Sequence, residues 1–476
     1  MHSFAGIVSA VSSFIWGWPM IILLLGTHLF LTVRLRFPQS KIFKAIGLSF
    51  KRDKGSSGDV SQFGALATSL AATIGTGNII GVATAVSLGG PGAVLWCWLT
   101  GLFGIATKYG EGLLSIKYRV KTEEGTMLGG PMYALERGLH AKWLAVIFCV
   151  FTALAAFGIG DTVQANAIST LLNEPGLFGP AFAGIPKWVS GIVLVILVTL
   201  VIFFGIKGIA KVCEVLVPFM AIFYIFGCVA ILAFNWGVLG QTISLICHSA
   251  FSAKAGIGGL AGTTVMMACR YGIARGLFSN ESGMGSAPIA AAAAKTRNPV
   301  RQALVSSTGT FWDTVVVCAL TGLVLVSSII NNPNISYMDG AKLTQLAFGQ
   351  IPKVGSIFLT ISLVTFTFST ILGWSYYAEK AIEYLAGHRF IIYYRIIWVA
   401  LVYVGAVLDL SLVWNIADIM NAMMAVPNII ALLLLSGVIV AETRKYLWSG
   451  NLDEASTDEI PIIKDKGKRK SDVIKN

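Results

Sequence analysis

The chain has 476 residues, of which 55% are hydrophobic and only 12% charged. A soluble globular chain carries about 25% charge, so a water-soluble enzyme, a fibrous repeat and a disordered chain are excluded and a polytopic membrane protein remains. The net charge of +12 then reads as the basic excess of cytoplasmic loops and does not point to nucleic acid.

A membrane-spanning helix needs ~20 mostly apolar residues. In chain order the candidates are 12–33, 61–86, 92–115, 142–171, 188–206, 212–235, 259–293, 302–330, 355–379, 390–408 and 411–441. The first has no basic stretch before it and no small-residue cleavage site, so it reads as a retained span and not a signal peptide. After it come Arg34, Arg36, Lys41, Lys44, Lys51, Arg52 and Lys54, a density that marks the cytoplasm. Within this loop, 37–51 reads as an amphipathic helix on the inner face, with Phe37, Ile42, Phe43, Ile46 and Phe50 alternating with lysines; a solvated loop is the alternative.

The N-terminus is then outside. Alternation puts 116–141, 207–211, 294–301, 380–395 and 442–476 inside, and most basic residues gather there, the exceptions being Lys187, Lys254, Arg270, Arg275, Lys342 and Lys353. The seventh candidate is too long and polar for a plain span, and the ninth is interrupted at Gly373. The tail from Gly450 is charged, low in hydrophobicity and predicted to be disordered. The seven cysteines form no C-x-x-C pair and read as small buried hydrophobes, with no disulfide or metal site.

Two segments share an unusual chemistry. Asn-x-x-Gly-x-x-x-Ala occurs at Asn78, Gly81 and Ala85 and again at Asn280, Gly283 and Ala287. An odd number of spans separates them, so they cross the membrane in opposite senses, as in an inverted-topology repeat. The same offset carries Asp161–Gln164 to the Thr/Ser-rich stretch around 363–370. Glycines flanking a polar residue at mid-membrane let the helix unwind. The freed N–H groups suit a carboxylate and the freed carbonyls suit Na⁺. Packing notches are the plainer reading for one such motif; two matched motifs favour a site.

The strings GTGNI (75–79), RGLFSNESGMGSAP (275–288) and WGWPMIILLLGTHLFLTVRLRF (16–37) resemble the alanine or glycine:cation symporter family, over essentially residues 10–445. This resemblance implies an all-α polytopic fold of eleven transmembrane helices, one N-terminal helix before the 5+5 inverted-repeat core of the leucine-transporter type. Core helices 1 and 6, at 61–86 and 259–293, are then discontinuous, and core helices 3 and 8 are 142–171 and 355–379. The expected divisions are 1–36 (extra helix), 37–54 (interfacial linker), 55–236 and 237–445 (the two repeats) and 446–476 (cytoplasmic disordered tail).

The resemblance also implies a site. The N–H groups of Thr76 and Gly77 would meet a substrate carboxylate. Phe278, Ser279 and Asn280 would stand at the substrate, with carbonyls near Ser279 taking its ammonium group. Carbonyls of Ala71 and Ile74, opposite Thr367, Ser369 and Thr370, would hold Na⁺. The Thr73 carbonyl and the Asn78 amide would form a second ion site beside the substrate. The Asn280-Glu281 pair has no counterpart in the leucine transporter, so the sixth core helix follows this family's own pattern.

Other residues are read directly. Gln164 is expected to bond the substrate's polar groups, with Asn166 nearby; Asp161 is equally a site residue or an interhelical tie. Glu281 is expected to order the second break or pair with Arg275. Asp313 could join a cation path or bond neighbouring hydroxyls. Met284 and Trp374 could wall the pocket or merely pack. A membrane hydrolase built on Ser282 lacks a Gly before the Ser and a neighbouring base, no ATP-binding loop is present, and a channel would call for a ring of filter loops.

The reading is sodium-coupled symport of alanine or glycine into the cell by alternating access, in a bacterial inner membrane. Glutamine or another neutral amino acid, or H⁺ in place of Na⁺, is the alternative. The expected partners are the amino acid, Na⁺ and the lipid bilayer, with no other cofactor and no obligate protein partner.

Overall fold

A computed structural model describes residues 4–463 apart from 52, 54, 178–180, 253–264, 352–353 and 409–410. Helices occupy all eleven predicted segments. They are α1 (Phe4–Ile15) and α2 (Trp18–Arg34), α3 (Ile42–Ser49), α4 (Gln62–Thr73), α5 (Gly77–Gly89) and α6 (Ala93–Lys117). After these come β1 (Val120–Thr122) and β2 (Met127–Leu128), α7 (Lys142–Leu172), α8 (Lys187–Ile202), α9 (Gly205–Phe234) and α10 (Leu239–Phe251). The second half contains α11 (Val265–Asn280), α12 (Ala287–Ala291), α13 (Pro299–Asn331), α14 (Leu343–Phe348), α15 (Val354–Ala386), α16 (Ile391–Val407), α17 (Ser411–Leu434), α18 (Ser436–Thr443) and β3 (Ile462–Ile463).

Among the described residues, seven helices are long and apolar enough to cross a membrane, or eight if the bent pair α4–α5 is one span. Three of the predicted spans fall short of that measure. α6 carries Lys108 and Glu111 in its interior, and α8 and α11 have 16 residues each. The start of the seventh predicted span, 259–264, lies outside the described residues.

The first predicted break is present. Ser61 caps α4, its hydroxyl accepting from the Gly64 N–H at 2.8 Å. The helix stops after Thr73, where Ile74 is extended (φ −77°, ψ 96°), and α5 departs at 52°. The second break follows Asn280. Glu281, Gly283 and Gly285 all take left-handed φ (52°, 91° and 85°), a run no helix can hold. Two further distortions were not foreseen: π-helical turns at Ala156–Thr162 and Phe311–Cys318, which carry Asp161 and Asp313. Such bulges cluster at functional sites.

Three expectations are corrected. Gly373 does not interrupt its helix, since α15 is continuous over 33 residues. It is a notch for α4 instead: a Cβ there would lie 2.7 Å from the Ala72 N and Cβ atoms. The helix at 42–49 forms, but its apolar residues divide. Ile42, Ala45 and Leu48 pack inward toward α13, while Phe37, Phe43 and Phe50 are exposed. The tail is docked as far as Ile463, where β3 pairs in parallel with β1 (Lys121 with Ile462, Thr122 with Ile463). The predicted disorder missed this because the partners are backbone groups and lone charges far away in sequence. Residues 464–476 of that tail lie outside the described residues.

Candidate functional site

The two breaks meet. Gly77 lies against the second broken element so closely that a Cβ would come 3.2 Å from Ser279 Cα and 3.3 Å from the Phe278 ring. Gly75 faces α15, where a Cβ would sit 2.5 Å from Thr370 Oγ1. The glycines of the first motif are therefore needed for close approach on two sides. Their φ angles are not in the left-handed region.

Asn78 closes the first break upon itself. Its Oδ1 accepts from the Gly75 N–H at 2.9 Å, and its Nδ2 donates to Asp313 Oδ1 at 2.7 Å and to the Asp313 carbonyl at 3.1 Å. Asp313 in turn accepts from Ser279 Oγ at 3.0 Å and Thr314 Oγ1 at 2.5 Å. One buried carboxylate thus ties both breaks to α13. The Asn78 amide nitrogen and the Ser279 hydroxyl are thereby used as donors, while the oxygens that could face a cation or an ammonium group are not engaged by Asp313. The Thr73 hydroxyl bonds Ser69 and Leu70 carbonyls of its own helix.

The second break is held from α6 and α15. Glu111 Oε1 accepts from the Gly283 and Gly285 N–H groups at 3.1 and 3.0 Å and from Asn428 Nδ2 at 2.7 Å. Glu281 accepts from Ser286 Oγ and from Trp374 Nε1, the latter at 3.0 Å, so its partner is not Arg275. Asn280 bonds Thr100 Oγ1 and the Ser282 N–H. Ser282 faces Thr310 Oγ1 at 3.0 Å. Met284 and Trp374 are fully buried packing residues, and a Cβ at Gly160 would collide with Trp374. The side chains of Ser279, Asn280, Met284 and Trp374 therefore shape the breaks. Glu111 was missed because its role comes only from the backbone turn it caps.

The ion set assembles on the other side of the first break. Ser369 Oγ lies 3.1 Å from the Ala71 carbonyl, and Thr370 Oγ1 lies 3.2 Å from the Ile74 carbonyl. Both hydroxyls also reach the Phe366 carbonyl, at 2.8 and 3.0 Å. These are neutral, buried oxygens at the end of a half-helix, the donor chemistry that suits Na⁺. Thr367 does not join them. It is a turn away, and its hydroxyl bonds the Leu363 carbonyl at 2.6 Å within its own helix.

A cavity of about 260 Å³ opens beside the breaks, lined by Thr76, Gly77 and Phe278 together with Arg275, Trp414 and Asp418. Pockets for drug-sized ligands begin at about 300 Å³, so this one is of a size for a single amino acid. The Thr76 N–H points at Gln164 Oε1 over a long 3.4 Å, and Gln164 Nε2 returns to Thr76 Oγ1 at 3.2 Å. Gln164 is thus at the predicted site. Asn166 is not: it ties α7 to the Gly405 and Leu408 carbonyls. Asp161 is fully buried, and neither carboxyl oxygen has a partner among the described residues. The α17 residues of the cavity were not foreseen, since neither repeat motif extends to them.

A family model described as the sodium:alanine symporter family matches residues 1–459. The sodium/alanine symporter AgcS of Methanococcus maripaludis is 51% identical, over 93% of this chain and 97% of the relative. An uncharacterized transporter of Haemophilus influenzae is 50% identical, over 95% of this chain and 98% of the relative. The probable sodium/glutamine symporter GlnT of Bacillus subtilis is 35% identical, over 92% of this chain and 90% of the relative. Among solved structures, MhsT in complex with L-phenylalanine matches with a TM-score of 0.58 at 14% identity, over 84% of this chain and 96% of that one, a likeness of fold.

Proposed function

The chain belongs to the sodium:alanine symporter family, and from that premise we propose that it couples the inward movement of alanine or glycine to Na⁺ by alternating access. It is a multi-pass membrane transporter and not an enzyme. The observation that carries the proposal is the Ala71, Ile74, Ser369 and Thr370 oxygen cluster, set against the same broken helix whose Thr76 and Gly77 line the cavity.

The substrate carboxylate takes the Thr76 N–H in place of the Gln164 amide oxygen, whose present bond is long. The start of α5 adds its positive dipole end. The side chain lies toward Phe278 and Trp414. Na⁺ enters among the four oxygens on the opposite side of Ile74 and Gly75. Because both ligands complete the same unwound segment, each favours the other. The fold is proposed to be an inverted-repeat core in a bacterial inner membrane, with the N-terminus outside and the tail inside. A glutamine substrate is the second reading, favoured by the relative GlnT, and the cavity's volume does not exclude it.

Uptake of labelled alanine into proteoliposomes tests this. An inward Na⁺ gradient is expected to drive saturable uptake that unlabelled glycine inhibits and phenylalanine does not. Accumulation that ignores the Na⁺ gradient would refute the coupling, and preference for glutamine over alanine would move the substrate.

A further inference from the structure

Residues 451–463 run across the ends of α6 and α13. The Asn298 side chain donates to the Leu452 and Glu454 carbonyls, both at 2.9 Å. The Ser456 N–H donates to the Arg297 carbonyl at 2.7 Å, and the Lys121 N–H to the Pro461 carbonyl at 2.9 Å. Lys117 pairs with Asp458 at 2.7 Å and Arg301 with Asp453 at 2.6 Å. Beyond them β3 extends β1.

The same arginines hold the approach to α4. Asp53 pairs with Arg301 at 3.0 Å and Arg297 at 3.4 Å, and accepts from Gln62 Nε2 at 2.9 Å. Val60 bridges to Ala294, and the Lys295 N–H donates to the Val60 carbonyl at 2.8 Å. Arg301 therefore stands between two carboxylates, one on each side. The Asp53 side is buried: the two side chains are 1% and 4% exposed. The Asp453 side chain is 88% exposed. An exposed pair is weak and screened by salt, whereas breaking a buried one is costly. The outer contact is thus the releasable half of a two-layer tie.

We propose that residues 451–463 form a strap that clamps the α4 approach to α13, so that opening toward the inside requires the strap to let go. This rests on the orientation and alternating access proposed above. The strap touches no residue of the substrate cavity or ion set, so it governs the rate of opening and leaves the affinities intact. Its grip comes from many small backbone and charge contacts, which release singly and in turn, as a latch needs.

The test places a reporter cysteine at Ala65, buried at the inner end of α4 with Val60, Ala210, Ala293 and Ala294. The accessible Cys247 and Cys269 are replaced by Ser. A membrane-impermeant thiol reagent applied from the inner side reads opening in proteoliposomes. Two strap variants are compared with the intact strap: a chain ending at Gly450, and Asp453→Asn with Asp458→Asn. The shortened chain is expected to label about tenfold faster, the factor that ~1.4 kcal/mol represents, and the double Asn variant, which loses only the outer pairs, about twofold to threefold faster. The double Asn variant keeps the full chain, so it decides the matter should the shortened chain not fold. Unchanged labelling in the double Asn variant overturns the strap. Absence of Na⁺-driven uptake with the strap intact would instead strike the transport reading.

Discussion

Replacing Thr370 with Val raises the Na⁺ concentration for half-maximal uptake about tenfold, and adding Ser369→Ala raises it by about a hundredfold or more. Each hydroxyl contact to a charged partner is worth about 1.5–3 kcal/mol, and ~1.4 kcal/mol is tenfold. Val keeps the Thr shape, so the change is confined to the lost oxygen. Thr367→Val is the internal control. Its hydroxyl bonds only carbonyls of its own helix, so its Na⁺ dependence stays that of the unsubstituted protein. Na⁺ titrations of uptake read all three. Equal shifts for Thr367→Val and Thr370→Val would mean that the ion sits elsewhere on α15.

Removing the Asp313 carboxylate is expected to be the most damaging single change to the paired breaks. Asp313→Ala takes the carboxylate acceptor from the Asn78 amide, Ser279 and Thr314 in a fully buried place, leaving Asn78 only the main-chain carbonyl of residue 313 and Cys318 Sγ, and Ser279 only Cys318 Sγ. Each buried donor left unsatisfied costs about 1–3 kcal/mol, together a large fraction of a typical stability. Little folded protein survives gentle heating, and uptake is lost. Asp313→Asn keeps an acceptor oxygen and restores some of the stability. Thermal melting in detergent followed by size exclusion measures both. If Asp313→Ala melts with the unsubstituted protein, Asp313 does not hold the breaks together.

Much of this organisation was legible in the residues. Local chemistry announces itself: a Gly-Thr-Gly-Asn run inside an apolar segment marks a break, and so does Ser-Asn-Glu-Ser-Gly-Met-Gly. The oxygens expected to hold Na⁺ followed from a resemblance on the first break, and those of Ala71, Ile74, Ser369 and Thr370 lie together, apart from Thr367. Helical periodicity could not separate Thr367 from Thr370, since both lie within one turn of Ser369. What stayed hidden depends on contacts between distant segments. Glu111 caps a turn some 170 residues away. Gly373 looked like a helix breaker, yet it is a notch for Ala72. The strap is bound through main-chain groups, which carry no sequence signal. Asn280, Met284 and Trp374 belong to the right elements, but their side chains turn to Thr100, the core and Glu281.

The central claim is that amino acid and Na⁺ complete one unwound segment from its two sides. Equilibrium binding of labelled alanine to purified protein across a series of Na⁺ concentrations, with ionic strength held constant, tests it most directly. The account predicts that alanine binds more tightly as Na⁺ rises, and that alanine tightens Na⁺ by the same factor, as linkage requires. Alanine affinity indifferent to Na⁺ would contradict it.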